Sequence, residues 1–261
     1  MTRQSAEDKE HSNQLAETLP VIWARPERAT KGPAPSLSRT QIAATAIALA
    51  DVEGIEAVSM RRLAGELGVA ATSLYGYVER KDELYDLMID AVEGEDGGLP
   101  APTGDWRNDV CAFAHRLHSL IQRHPWIATL APGLSSMGPN FLARAEGILT
   151  ALNGLGLNID AMMSIINTID SYVRGHAISQ LAEQEARRRS GLDVQQWMQT
   201  QAAYVQTIID SGDYPMLTTV IRAATTPHDP DGAKQAFRAG LEQILDGITA
   251  NLHQHDPDES K

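Results

Sequence analysis

Between Ala70 and Val78 the chain reads Ala-Ala-Thr-Ser-Leu-Tyr-Gly-Tyr-Val, a stretch whose side chains suit hydrogen bonding and not bond-making. Taken as one short helix over about 70–77, it points Ala70, Leu74 and Val78 inward. Ala71, Thr72, Ser73, Tyr75 and Tyr77 are left facing out. Small residues let a helix approach base edges closely, and hydroxyls can donate to or accept from bases and phosphates. Two tyrosines on an otherwise small-residue helix are an odd choice for a face that meets only water. Arg61 and Arg62 lie before this stretch and Arg80 and Lys81 follow it, cations able to neutralise phosphates.

The elements that must position these groups are legible as helices. Ser38 is an N-cap, followed by Ile42, Ala46, Leu49 and Ala50 on one face and Gly54 as a stop. Ser59 caps a second, shorter helix with Met60, Leu63, Ala64 and Leu67 in register. Gly68 ends it, and Val69 packs across the turn into the third helix. A fourth starts near Asp82 with Leu84, Leu87, Met88 and Ala91 on one face. Two short helices joined by a glycine turn form a helix-turn-helix pattern, in which the second helix enters the major groove of DNA. Ahead of them, residues 1–36 read as a flexible arm ending in Lys-Gly-Pro-Ala-Pro-Ser. Arg25, Arg28 and Lys31 in it suit either a solvated tail or a basic arm on phosphates.

Charge is informative only by placement. The net charge of -12 disfavours nucleic acid at first sight, and residues 31–90 hold six Lys/Arg against nine Asp/Glu. The acids fall mainly on the first and fourth helices, where they can face away, while the cations flank the helix pair. Glu79 is the exception, beside the expected DNA surface.

The wording of residues 37–93 closely resembles the DNA-binding domain of TetR-family regulators. Ser38-Arg39-Thr40-Gln41-Ile42, Ala57-Val58-Ser59-Met60-Arg61-Arg62-Leu63-Ala64, Leu67-Gly68-Val69, Ser73-Leu74-Tyr75-Gly76-Tyr77-Val78 and Lys81-Asp82-Glu83-Leu84 carry the likeness. The resemblance implies that Arg61 approaches bases and that Thr72, Ser73, Tyr75 and Tyr77 contact bases or phosphates. It also implies that Lys81 binds a phosphate, and with Arg39, Ala71 and Gly76 these residues make up the expected DNA-binding set. Gly76 departs from the pattern, since relatives commonly carry a larger residue there, often Arg or Trp. The arm residues from Trp23 to Pro33 resemble basic extensions in some relatives.

Residues 105–255 form a second domain of longer helical patterns: about 105–123, 126–131, 139–155, 160–189, 193–211 and 231–252. The fold class is therefore all-α, a three-helix helix-turn-helix domain plus a larger helical domain for ligand binding and dimerisation. Asp105-Trp106, His124-Pro125-Trp126, Gly138-Pro139-Asn140, Leu155-Gly156-Leu157 and Ser171-Tyr172-Val173-Arg174-Gly175 resemble the tetracycline-repressor subgroup. That likeness implies a homodimer in which the helices at about 160–189 and 231–252 pair with their twofold mates. On the last helix Phe237, Leu241, Ile244, Leu245, Ile248 and Leu252 form an apolar stripe, suited either to that pairing or to the interior of one chain. The metal-binding His of tetracycline repressors aligns with Ala131 and its acidic partner with Ser179. The polar drug contacts align with Phe113 and Ile148, and an aromatic one with Leu117. The expected effector is thus more apolar than magnesium-tetracycline, in a pocket lined by Phe113, Leu117, Ile148 and Ile166.

Other chemistry finds little support. His115, His118, His124 and His176 invite a metal, but without a clear third ligand they read as capping or surface groups, and no metal or cofactor is expected. No G-x-G-x-x-G, P-loop, G-x-S-x-G or H-E-x-x-H is present, so an enzyme is not expected. A helical small-molecule binder without DNA activity is the rival that the acidic balance motivates. The single Cys111, the lack of a signal-peptide pattern and the lack of a membrane-length apolar run point to the cytoplasm. The expected partners are double-stranded operator DNA, a small-molecule effector and a second copy of the chain.

Overall fold

The computed structural model describes residues 22–25, 37–130, 137–192, 194–223 and 232–254. Among them there are ten α-helices and no strand. The chain divides into two compact units: Met1–Pro100 with Arg123–Glu146, and Ala101–Gln122 with Gly147–Lys261.

In the first unit, α1 (Arg39–Glu53) opens with a full capping box. The Ser38 hydroxyl accepts from the Gln41 amide and the Gln41 side chain accepts from the Ser38 amide. Its inward face is the expected one: Ile42, Ala46, Leu49 and Ala50 are buried. After a 3-10 turn at Ile55–Ala57, α2 (Met60–Leu67) is capped by Ser59 and stopped by Gly68 in the left-handed region. At φ 67° Gly68 adopts a conformation that costs an L-residue about 1–2 kcal/mol. Then come α3 (Ala71–Leu74) and α4 (Lys81–Glu93), with α1 packed on α2 and α4. Leu63, Leu74, Val78, Leu84 and Met88 are fully buried and join these helices. Each such side chain contributes roughly 1.5–3 kcal/mol by leaving water.

Three acids of α4 are buried and partnered instead of facing solvent. Asp90 accepts from the Asn140 and Phe141 amides at 2.9 and 3.0 Å, capping the start of α6 (Pro139–Leu152) from outside. Glu93 pairs with Arg144 at 3.0 Å, and Glu83 with Arg25 at 2.6 Å. His124 is buried as well, facing Asp51 at 2.8 Å and Glu95 at 3.2 Å, while the Trp126 indole donates to Asp51 at 2.7 Å. It is not a surface histidine, and although it stands at the N-cap of the 3-10 helix Pro125–Ala128, its side chain makes no capping bond.

The second unit holds α5 (Trp106–Arg123) up to Gln122, the last turns of α6, α7 (Ile159–Ser190), α8 (Val194–Ser211), α9 (Pro215–Ala223) and α10 (Gly232–Gln254). Helix α9 was not anticipated from sequence. Phe237, Leu241 and Leu245 of α10 are buried and α10 packs on α7, so half of the expected dimer stripe belongs to the interior of the chain. Ile244, Ile248 and Leu252 remain half-buried. Arg107 ties α5 to α10 through Glu242 and, at 2.6 Å, Asp246.

Candidate nucleic-acid interface and ligand-binding unit

The recognition element is shorter than expected. Ala70 is the exposed residue before α3, not an inward-facing one, and its carbonyl accepts from the Ser73 amide at 2.9 Å. The helix ends at Leu74, and in the turn that follows the Tyr77 and Val78 amides both donate to the Leu74 carbonyl at 2.9 Å. Thr72, Ser73, Tyr75 and Gly76 are exposed and Ala71 is partly so. Tyr77 is not: it is 9% exposed. Residues 75–77, past the end of the helix, form a turn in which Tyr77 is buried while Tyr75 and Gly76 stay exposed.

Lys81, the first residue of α4, is exposed with its ammonium 5.2 Å from the Tyr85 ring centre. Arg61 is exposed on α2. Arg62 is held by Glu53 and Glu66 at 2.9 and 3.0 Å. Arg39 faces inward, donating to the carbonyls of Tyr77, Ile22 and Arg25. Arg25 is taken up by Glu79 and Glu83, so it is not the loose basic residue that the arm suggested. Arg28 and Lys31 lie outside the described residues. The structure thus brings Thr72, Ser73, Tyr75 and Lys81 to the surface around one turn, and withdraws Arg39 and Tyr77 into its support.

In the second unit Phe113, Leu117 and Ile148 are buried and Ile166 is half-buried. A shallow depression of about 580 Å3 runs along α7 at Asp160, Met163, Ser164, Asn167, Thr168 and Ser171, and none of the four expected lining residues borders it. Three of the four histidines read from sequence as capping or surface groups, His115, His118 and His176, gather on one ring. His118 stacks on Phe237 at 4.4 Å, with His176 at 5.1 Å and His115 at 5.4 Å. Tyr172 stacks on the same ring and donates to the Phe237 carbonyl at 2.8 Å. Burial, then Arg238 and His118, lower the His115 pKa. Burial and then His118 lower that of His176. Their i, i+3 spacing on α5 showed that His115 and His118 share a face, but not that α7 and α10 close over it. Among the described residues no group of three or more His, Cys, Asp or Glu is placed to hold a metal ion. No helix among them is long and apolar enough to cross a membrane.

A glycine-turned helix pair with exposed hydroxyls, followed by a separate helical unit with an apolar interior, defines a helix-turn-helix regulator class. Residues 42–88 match the family model described as bacterial regulatory proteins, tetR family, and residues 99–252 match the tetracyclin repressor-like C-terminal domain. The chain belongs to the TetR family of transcriptional regulators. It is 37% identical over 245 residues to the HTH-type transcriptional repressor DrrR1 of Streptomyces coeruleorubidus, covering 93% of this chain and 88% of that one. An HTH-type transcriptional regulator of Saccharopolyspora erythraea is 33% identical over 234 residues, covering 88% and 92%. Among solved structures, ActR of Streptomyces coelicolor in complex with actinorhodin superposes with a TM-score of 0.65 at 29% identity, covering 84% of this chain and 99% of that one.

Proposed function

We propose that this protein is a cytoplasmic repressor that binds a twofold double-stranded operator as a homodimer and is released by a small-molecule effector more apolar than magnesium-tetracycline. The observation that carries the reading is the exposed set Thr72, Ser73, Tyr75 and Lys81 around one short turn on a rigidly capped scaffold. DrrR1, the 37% identical relative, is named a repressor, which supports the sign of regulation. That ActR is solved with actinorhodin supports a small-molecule effector. Phe113, Leu117, Ile148 and Ile166, all apolar, support its character. The effector acts by binding best to the dimer form whose recognition helices are wrongly spaced, drawing population from the DNA-binding form.

Association is supported by apolar surface that one chain leaves uncovered. Ile159, Met163 and Ile178 on α7, Trp197 and Tyr204 on α8, and Met216, Leu217 and Val220 on α9 are exposed. The test is fluorescence anisotropy with DNA flanking the protein's own gene against scrambled DNA, over a salt series. Specific binding with a steep salt slope, reversed by an added apolar small molecule, establishes the reading. No sequence preference, there or after selection from random DNA, replaces it with a helical small-molecule binder.

A further inference from the structure

We infer that Ile22–Arg25 is a working part of the DNA-reading unit, and that Arg25 and Arg39 are positioning residues holding the turn between the recognition helix and α4. The inference rests on the DNA-binding reading above. Ile22 is fully buried. The Trp23 ring passes so close over Gly138 that a Cβ there would lie 2.7 Å from the ring. The segment is therefore seated, and two arginines connect it to the reading element.

Arg39, from α1, donates through Nη1 to the carbonyls of Ile22 and Arg25, each at 2.9 Å, and through Nε to the Tyr77 carbonyl at 3.2 Å. One guanidinium thus binds the segment to the end of the turn. Arg25 reaches the other flank. It pairs with Glu79 and, at 2.6 Å, with Glu83, whose same oxygen accepts from the Glu79 amide at 2.8 Å. Glu83 is buried, and a carboxylate so placed needs a cation and donors to offset its lost hydration. Arg80 stands farther off at 3.8 Å and is half-exposed, so Arg25 is the main partner. Burial disfavours the Arg25 charge, but the bonds and charges of Glu83 and Glu79 outweigh it and hold the guanidinium above its ordinary pKa.

A helix of one turn has little stability of its own. What precedes and follows it sets where Thr72, Ser73 and Tyr75 stand relative to Lys81. Arg39 on the Tyr77 carbonyl and Arg25 on Glu79 and Glu83 fix that turn at both flanks.

The experiment compares the full chain with Arg25→Ala, Glu83→Gln and the double variant, by salt-series DNA binding and by hydrogen–deuterium exchange over residues 75–84 without DNA. Each single variant is expected to weaken specific binding about tenfold, the scale of coupled neighbours, and the double variant no further. The salt slope stays as in wild type and exchange over 75–84 quickens. Glu83→Gln discriminates most sharply: removing an acid beside DNA strengthens binding if only charge matters, and weakens it if the acid positions the turn. Binding by Glu83→Gln at or above wild-type strength overturns the inference. So does an Arg25→Ala salt slope reduced by about 1 with unchanged exchange, the signature of a direct phosphate contact. Failure of wild type to bind DNA overturns the DNA-binding reading instead, while exchange still decides whether Arg25 holds the turn.

Discussion

Lys81 carries its ammonium at the start of α4, exposed and beside Tyr85. If it meets a phosphate, Lys81→Ala weakens binding to all duplexes alike and lowers the salt slope by about 1, readable in the anisotropy series. Tyr75 is a different case, an aromatic side chain 51% exposed. Tyr75→Ala is expected to cost specific binding about 1–3 kcal/mol while leaving scrambled DNA nearly unaffected. The ring cluster predicts a pH dependence. His115 and His176 have lowered pKa values in the fold, so the unfolded chain binds protons more readily and stability falls as pH drops below the ordinary histidine value. Thermal unfolding from pH 7 to 5 should show this decline, shallower in His176→Gln. A flat profile sinks the prediction. The hydroxyls and cations of this surface were legible because side-chain type announces the chemistry. The burial of Tyr77 and the inward turn of Arg39 were not, because neither follows from residue type: Arg39 is drawn in by the carbonyls of Ile22, Arg25 and Tyr77, none of them near it in the chain.

Helices α1, α2 and α4 were readable because local rules agree: Ser38 and Ser59 cap, Gly68 stops, and apolar residues recur at helical spacing. The eight-residue α2 announced itself by Ser59 and Gly68, whereas the nine-residue α9 follows Tyr214 with no capping side chain and ends without a glycine, so neither of its ends declared a helix. The partners of the α4 acids were hidden for another reason, since Asp90 meets residues fifty positions away. That contact can be tested by stability. A Cβ at Gly138 would lie 2.2 Å from the Asp90 carboxylate, so Gly138→Ala must displace the cap and is expected to destabilise by about 1–3 kcal/mol. Asp90→Ala leaves two amides of α6 unmet and should cost about 2 kcal/mol. Denaturant midpoints read both, and values within a few tenths of wild type would show that α6 does not depend on this cap.

On the proposed function one chain covers at most half of a twofold operator, because two recognition helices must sit about one DNA turn, roughly 34 Å, apart. The second unit offers apolar surface on which the proposed dimer can form: Ile178 on α7 is 47% exposed, and Ile244, Ile248 and Leu252 lie beside the buried half of the α10 stripe. A twofold contact places the same patch on both copies, so a single charge substitution enters the interface twice. Ile178→Glu combined with Ile248→Glu is therefore expected to sediment as a monomer at concentrations where wild type is a dimer. These positions lie outside the first unit, whose core residues Ile42, Leu63 and Leu74 are untouched, so binding to a half-site duplex should be nearly unchanged. Binding to a full site should fall more than tenfold, because the second half-site no longer adds an intramolecular contact. A variant that stays dimeric would move the interface to α8 and α9, where Trp197 and Met216 are the next residues to charge. A wild-type protein monomeric at micromolar concentration would remove the dimer from the mechanism, and with it any effector action through the spacing of the recognition helices.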